Sequence, residues 1–418
     1  MTIQERPRET ARANGPGHTR ITPGAGQLLS LVRRLGPCSR ADLAKRAGLS
    51  KAVLGARLHE IMERGLVVEE NTGYSTGGRP PTMLRFVKDA GHVVSIDIGL
   101  NYLRATVTNL EAEPLAILCA DAAWPSARDE VLERARKLIH EAIARSGLSE
   151  TAIQGLGVSL GGPVDSKTGS LHQASLLVAP LEVRSFFEGA LPWPVLLDND
   201  VNTLAVAEGW RGGARDVADF LYVELGIGVG CGIVNEGRLH HGADGWAGEI
   251  GHIRMPGHDR RCTCGNAGCL GAIVSQPALA ETATELASDG RSPFLAQRLE
   301  ERGRLMAEDL GEALQAQDPA AAEAIRQAGD IVGQVLGPLV SFNNPSLILI
   351  GGGAARLGDL LLSSIRESVY RWSLPLSARH LSIQTARLGP EARLVGAAAM
   401  AISSVWRLDA FQQPDPVT

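Results

Sequence analysis

His252-Ile-Arg-Met-Pro-Gly-His258-Asp-Arg-Arg-Cys262-Thr-Cys264-Gly-Asn-Ala-Gly-Cys269 places three cysteines within eight residues and a histidine ten positions upstream, in a chain that holds six cysteines in all. One imidazole and three thiolates make the closed tetrahedral donor set that Zn²⁺ takes in structural sites. Gly265 and Gly268 let the short loop between the sulfurs fold back on itself. Cysteines rarely crowd like this without a metal or a disulfide framework, so free thiols beside an incidental histidine is the weaker reading. His258 is too close to Cys262 to share the spacing of His252. The expected ligands of a structural zinc are His252, Cys262, Cys264 and Cys269.

Working outward, Gly248-Glu249-Ile250-Gly251-His252 leads into Cys-x-Cys-Gly-x-x-Gly-Cys. The combination resembles the signature of the ROK family (repressor, open reading frame, kinase), and the likeness runs from about residue 26 to 406. The resemblance implies an α/β chain: an N-terminal winged helix-turn-helix followed by a two-lobed, actin-like (ribonuclease H-like) sugar-kinase fold. The boundaries expected are a disordered tail over 1–22, a DNA-binding module over 24–88, a ligand-sensing and oligomerisation body over 91–407, and a tail over 408–418.

Composition agrees. A chain of 418 residues is long enough for two or three domains, and 48 glycines with 4% aromatics suit a Gly-rich α/β protein. No apolar run approaches membrane-spanning length, and the polar first 25 residues lack a signal-peptide pattern. The expectation is a cytoplasmic protein with reduced thiols. The net charge of −5 hides an asymmetry: residues 1–88 hold 15 Lys and Arg against 7 Asp and Glu, and the remainder 26 against 39. A basic head on an acidic body is what a nucleic-acid module fused to a ligand-binding domain shows.

In that head, Leu28, Leu29, Leu31, Val32 and Leu35 form one helical face. Ser39 reads as the N-cap of a second helix and Ser50 as the cap of a third through Leu54, Leu58, Ile61 and Met62, with the turn Gly48-Leu49 between them. Gly65 ends the third, and Leu66-Val67-Val68 reads as a strand. Three short helices and a strand spell a winged helix-turn-helix. The third helix is predicted to enter the major groove of double-stranded DNA, with Ser50, Lys51, Ala52, Val53 and Arg57 near the bases or phosphates and Arg40 supporting them. The wing runs from Glu69 to Pro81, and Arg79, between Gly78 and Pro80, is placed for a narrow minor groove; a linker cation is the plainer reading.

The body reads as two α/β halves, each opening on a Gly-rich hairpin: 92–98 with 102–110, and 220–225 with 230–234. Helices are expected near 128–146, 201–210, 331–342, 358–372 and 392–405, with strands at 153–159, 195–198 and 347–350. Family kinases carry phosphate loops of the form Asp-x-Gly-Gly-Thr and Leu-Gly-Thr-Gly-x-Gly. Here these are Asp97-Ile98-Gly99-Leu100-Asn101 and Leu225-Gly226-Ile227-Gly228-Val229-Gly230. Leu100 adds bulk where backbone meets phosphate, and both loops lose a hydroxyl donor. The chain is therefore expected not to be an enzyme.

The sugar side is better kept. Asn199-Asp200-Val201-Asn202 resembles the family's Asn-Asp-x-Asn, whose Asp is the general base of sugar phosphorylation. The resemblance places Asn199, Asp200, Glu249 and His252 on a sugar or sugar-derivative effector. A helix cap at Asn199-Asp200 and a surface charge at Glu249 are the alternatives. Gly271 stands where the family has a Glu that touches sugar, and the loop 174–181 lacks an Asn common in kinases. The leading reading is a sugar-controlled transcriptional regulator, a repressor of carbohydrate genes. The others are an active sugar kinase carrying a DNA module, and a ligand-blind regulator moved by a protein partner. A homodimer or homotetramer is expected, with Leu394, Val395, Ile402 and Val405 as its surface.

Overall fold

The computed structural model describes residues 21–70, 82–122, 128–172 and 180–408. The first unit is α1 (Pro23–Leu35), β1 (Cys38–Ser39), α2 (Arg40–Ala47), α3 (Lys51–Glu63), β2 (Val67–Glu70) and β3 (Met83–Phe86). Hydroxyl caps start all three helices: Thr22 accepts from the Ala25 N–H, Ser39 from Asp42 and Ser50 from Val53. Gly48, in the left-handed conformation, closes α2 so that α3 can turn away from it. The strands form an antiparallel sheet in the order β1-β3-β2. Ile21 is already buried and belongs to this packing.

The body contains two five-stranded sheets of the same design. The first lobe holds β4 (His92–Ile98), β5 (Tyr102–Asn109), β6 (Pro114–Asp121), α4 (Arg128–Ser146), β7 (Ile153–Leu160), α5 (Val183–Ala190) and β8 (Val195–Asn199). Its order is β6-β5-β4-β7-β8, an antiparallel meander continued by parallel strands. After α6 (Asp200–Arg211), the second lobe repeats the plan with β9 (Phe220–Leu225), β10 (Val229–Asn235), β11 (Arg238–Leu239), β12 (Leu347–Gly351) and β13 (Ser382–Thr385), in the order β11-β10-β9-β12-β13. Its helices are α7 (Gly271–Val274), α8 (Gln276–Ser288), α9 (Pro293–Arg302), α10 (Ala307–Gln315), α11 (Pro319–Asn343) and α12 (Asp359–Trp372). The chain then returns through α13 (Ala392–Val405) to pack on α6 and the first sheet.

The long helix α11 exceeds the expected 331–342. Gly329, Gly333 and Gly337 fall at four-residue spacing on the face that meets α12. A Cβ on Gly333 would sit 2.3 Å from the Ser368 Cβ, and one on Gly337 2.5 Å from the Trp372 Cβ. The glycines thus permit a close helix pair that no larger residue would allow. A second expectation is corrected: Leu394, Val395 and Ile402 are each 1% exposed in the central core, and Val405 packs against it. They cannot form a subunit surface. That same core runs without interruption from Leu28, Leu29 and Val32 of α1 through α6 and α13 to β9 and β12.

Candidate effector cleft and metal centre

The loop after β11 is held by backbone geometry that only glycine tolerates. Gly248 has φ +95°, and a Cβ there would lie 1.8 Å from the Cys231 carbonyl of β10. This contact fixes Glu249 and the 3₁₀ turn Ile250–His252 beneath the second sheet. The Met255 N–H donates to the Gly268 carbonyl and the Leu270 N–H to Ile253, closing the loop into a clasp.

Inside that clasp the donor atoms of His252, Cys262, Cys264 and Cys269 all lie within 4.8 Å of one another. The Cys264 and Cys269 sulfurs are 3.8 Å apart, and the Cys262 sulfur is 3.5 Å from His252 Nδ1. A tetrahedral ion with bonds of about 2.3 Å to sulfur and about 2.0–2.1 Å to nitrogen requires edges of about 3.8 Å and about 3.5–3.6 Å. The distances match. A backbone hydrogen bond from Asn266 brings the Cys264 thiol down to about 7, while burial pushes Cys269 up to about 12. Without a cation, three thiolates cannot share this volume, so the donor set fits a divalent metal of borderline softness. His252 turns its other nitrogen, Nε2, toward Glu249, 3.9 Å away.

Across the cleft, Asn199 ends β8 and caps α6. Its Oδ1 accepts from the Asn202 N–H at 2.7 Å, so the amide carbonyl is committed to the backbone. Asp200, the first residue of α6, retains a quarter of its side-chain exposure. Burial raises its carboxyl, and the neighbouring Arg393 opposes that rise. Glu249 is raised by burial, with His252 opposing the rise and the Asp200 charge adding to it.

Groups that the sequence reading did not assign to the effector site complete it. Arg393, at the start of α13, lies 3.3 Å from Asp200 Oδ2 and 3.2 Å from Glu224 Oε1, and donates to the Tyr102 hydroxyl at 2.9 Å. Burial raises the Asp97 carboxyl to about 6, against the pull of the same guanidinium. His241 Nε2 meets Asp198 Oδ2 at 2.6 Å, both buried, tying β8 of one lobe to the loop after β11 of the other. Arg393 had a signal: a lone cation opening the apolar run Ala392-Arg-Leu-Val-Gly-Ala-Ala-Ala. Leu100 and Ile227 project from equivalent turns after β4 and β9, 43% and 60% exposed. Gly271 starts α7, where a Cβ would stand 3.3 Å from the Gly251 carbonyl.

On the N-terminal unit, Lys51, Ala52 and Val53 are exposed at the start of α3, on the face opposite Leu54, Leu58 and Ile61. Ala56 and His59 extend that exposed face and were not read from sequence. Arg57 lies over Gly24 of α1 instead, and Arg40 pairs with Glu69 of β2 at 2.7 Å. Arg79, with the rest of 71–81, and most of the loop 174–181 lie outside the described residues. Among the described residues no helix is long and apolar enough to cross a membrane.

Comparison with known proteins gives a consistent picture. A family model described as "ROK family" matches residues 93–404. A putative xylose repressor of Caldicellulosiruptor sp. (strain Rt8B.4) is 31% identical over 371 residues, covering 88% of this chain and 92% of that protein. A solved structure described as a ROK family transcriptional regulator, homolog of E. coli MLC protein, superposes with TM-score 0.78 at 27% identity, covering 91% of this chain and 95% of that one. A ROK family glucokinase from Streptomyces griseus, in complex with glucose and AMPPNP, matches with TM-score 0.65 at 27% identity, over 74% of this chain and 99% of its own.

Proposed function

Because the chain belongs to the ROK family, we propose that it is a DNA-binding transcriptional regulator, a cytoplasmic homo-oligomeric repressor of carbohydrate genes released by a sugar or sugar derivative. The observation that carries this reading is the N-terminal three-helix unit. It presents an exposed, basic start of α3 and is built into the core of a two-lobed body that matches both a regulator and a kinase. Residues 24–88 act as the DNA reader, with Ser50, Lys51, Ala52 and Val53 at the major groove, Arg40 and Arg57 bracing the module, and Arg79 on the wing. Paired readers on a two-fold oligomer address two half-sites.

In the body, Asp200, Glu249 and the amide of Asn199 serve as polyol partners, each carboxylate accepting from vicinal hydroxyls. His252, Cys262, Cys264 and Cys269 would hold Zn²⁺, which when bound cross-links the clasp and supplies no reaction chemistry. Held by such an ion, His252 would stay beside Glu249, 3.9 Å away, at the cleft wall. The kinase reading is disfavoured because Leu100 and Ile227 stand exposed on the turns where family kinases keep small or hydroxyl residues, and Arg393 engages Asp200. Phosphoryl transfer depends on positioning of the phosphates and on a free base. The test is fluorescence anisotropy of the full-length chain with duplexes selected from a random pool, titrated with D-xylose, D-glucose and N-acetyl-D-glucosamine. Salt-sensitive binding weakened by one sugar is expected; no selectable DNA would overturn the reading.

A further inference from the structure

We propose that Arg33 is a positioning residue that carries the state of the sugar cleft to the DNA reader, with α6 and α13 as the two bars that connect them. The proposal rests on the sugar-responsive reading above.

Arg33 lies on α1 of the reader, yet its side chain is only 6% exposed because it is inserted into the body. Its Nη2 donates to Glu111 Oε2 at 2.7 Å and to the Trp210 carbonyl at 3.3 Å, and its Cζ lies 3.6 Å from the centroid of the Trp210 ring. A planar fork that is stacked and ion-paired at once fixes orientation, which the aliphatic contacts of Leu28, Leu29 and Val32 around it do not.

What Arg33 grips gives it a function. Trp210 is the penultimate residue of α6, whose first residue is Asp200 and whose cap is Asn199. Twelve residues make a rod of about 18 Å from the cleft to the reader. The second bar runs beside it. α13 begins at the cleft, where Arg393 meets Asp200, and ends at Val405. The following Arg407 carbonyl would stand 2.1 Å from a Cβ on Gly26 of α1. The bars touch backbone to backbone one turn from the cleft, since a Cβ on Gly396 of α13 would fall 1.8 Å from the Thr203 carbonyl of α6. Two helices start at the ligand cleft, end under the reader and are in close backbone contact near their starts. A tilt imposed at Asp200 or Arg393 therefore arrives at Trp210, and Arg33 converts it into rotation of α1 and the attached α3.

The test measures coupling separately from either affinity. With selected duplex DNA and D-xylose, D-glucose and N-acetyl-D-glucosamine as probes, the factor by which sugar changes DNA affinity must equal the factor by which DNA changes sugar affinity. For the wild type a factor of about 5–150 is expected. Arg33→Met and Trp210→Leu should bring it within about twofold of unity while sugar affinity without DNA stays within about threefold. Arg33→Lys, which keeps the charge and loses the planar fork, should rescue little. Should Arg33→Met unfold the reader and abolish DNA binding, Glu111→Gln decides, because it leaves the reader's own residues intact. Wild-type coupling retained in Trp210→Leu and Glu111→Gln overturns the proposal. A wild-type factor of one for every sugar refutes the sugar-responsive reading itself, and this inference falls with it.

Discussion

Replacing Asp198 by Asn removes one charge from the buried pair that joins the two lobes. Asp198 Oδ1 accepts from the Asn199 N–H and the Asn202 side chain, both at 2.8 Å, and an asparagine oxygen can keep both bonds. What is lost is the charge-assisted contact of Oδ2 with His241 at 2.6 Å. Such bonds contribute about 1.5–3 kcal/mol against about 0.5–1.5 for a neutral one, so the variant loses about 1 kcal/mol where the imidazole is neutral in both proteins. The difference grows in acid. Burial alone would lower the His241 pKa, but the hydrogen bond and charge of Asp198 outweigh it and raise the value above the ordinary 6.5. A raised folded pKa means the ionised pair contributes stability that is fully present below the unfolded pKa and is lost as pH rises through the folded one. In Asp198→Asn only burial remains, the folded pKa falls below 6.5, and keeping the ring neutral costs about 1.4 kcal/mol for each pH unit beneath it. The gap should be about 1 kcal/mol at pH 8.5 and should widen steadily as the pH falls toward 5.5. Calorimetric melting of both proteins across that range measures it, and contributions common to the two cancel in the difference. Parallel pH profiles for wild type and variant would refute the reasoning.

Other outcomes follow from the same geometry. Purified protein should contain about one zinc per chain, and Cys264→Ser should abolish retention of the metal and lower the melting temperature; a fully folded, metal-free wild type would contradict this. Lys51→Ala should weaken binding to every duplex by a similar factor and reduce the slope of log affinity against log salt by about one; an unchanged slope would remove Lys51 from the phosphates. A coupled assay with glucose, xylose, mannose and N-acetylglucosamine should show no sugar-dependent ATP turnover, and rates of about 1–100 per second would restore the kinase.

The helix starts of the N-terminal unit were legible because hydroxyl caps at Ser39 and Ser50 are local chemistry. So was the metal clasp, whose ligands lie within 18 residues. The first hairpin was legible from alternation in β5, and the second from its glycine-rich stretch around 226–232. The region between α7 and α11 was not, since α8, α9 and α10 are short and their apolar residues answer to neighbours distant in sequence. Nor was the close packing of α11 legible, because its glycines take their meaning from α12. The strands β6 and β13 are sheet edges with weak patterns of their own. At the cleft, Asp200 and Glu249 could be named from motifs. Arg393, Glu224 and the His241–Asp198 pair could not, because each acquires its partner only when segments up to 291 positions apart fold together.

The uninterrupted core beneath α1 bears on how such a chain can be inherited. A reader on a flexible tether can be exchanged for another with little penalty, since neither side has surface to lose. Here, removing the first 88 residues would leave Trp210, Trp406 and Leu408, now buried under α1, facing water. Any replacement would have to supply a matching apolar face and a cation for Glu111. Reader and body are bound to a shared history, and drift in one is constrained by the surface of the other.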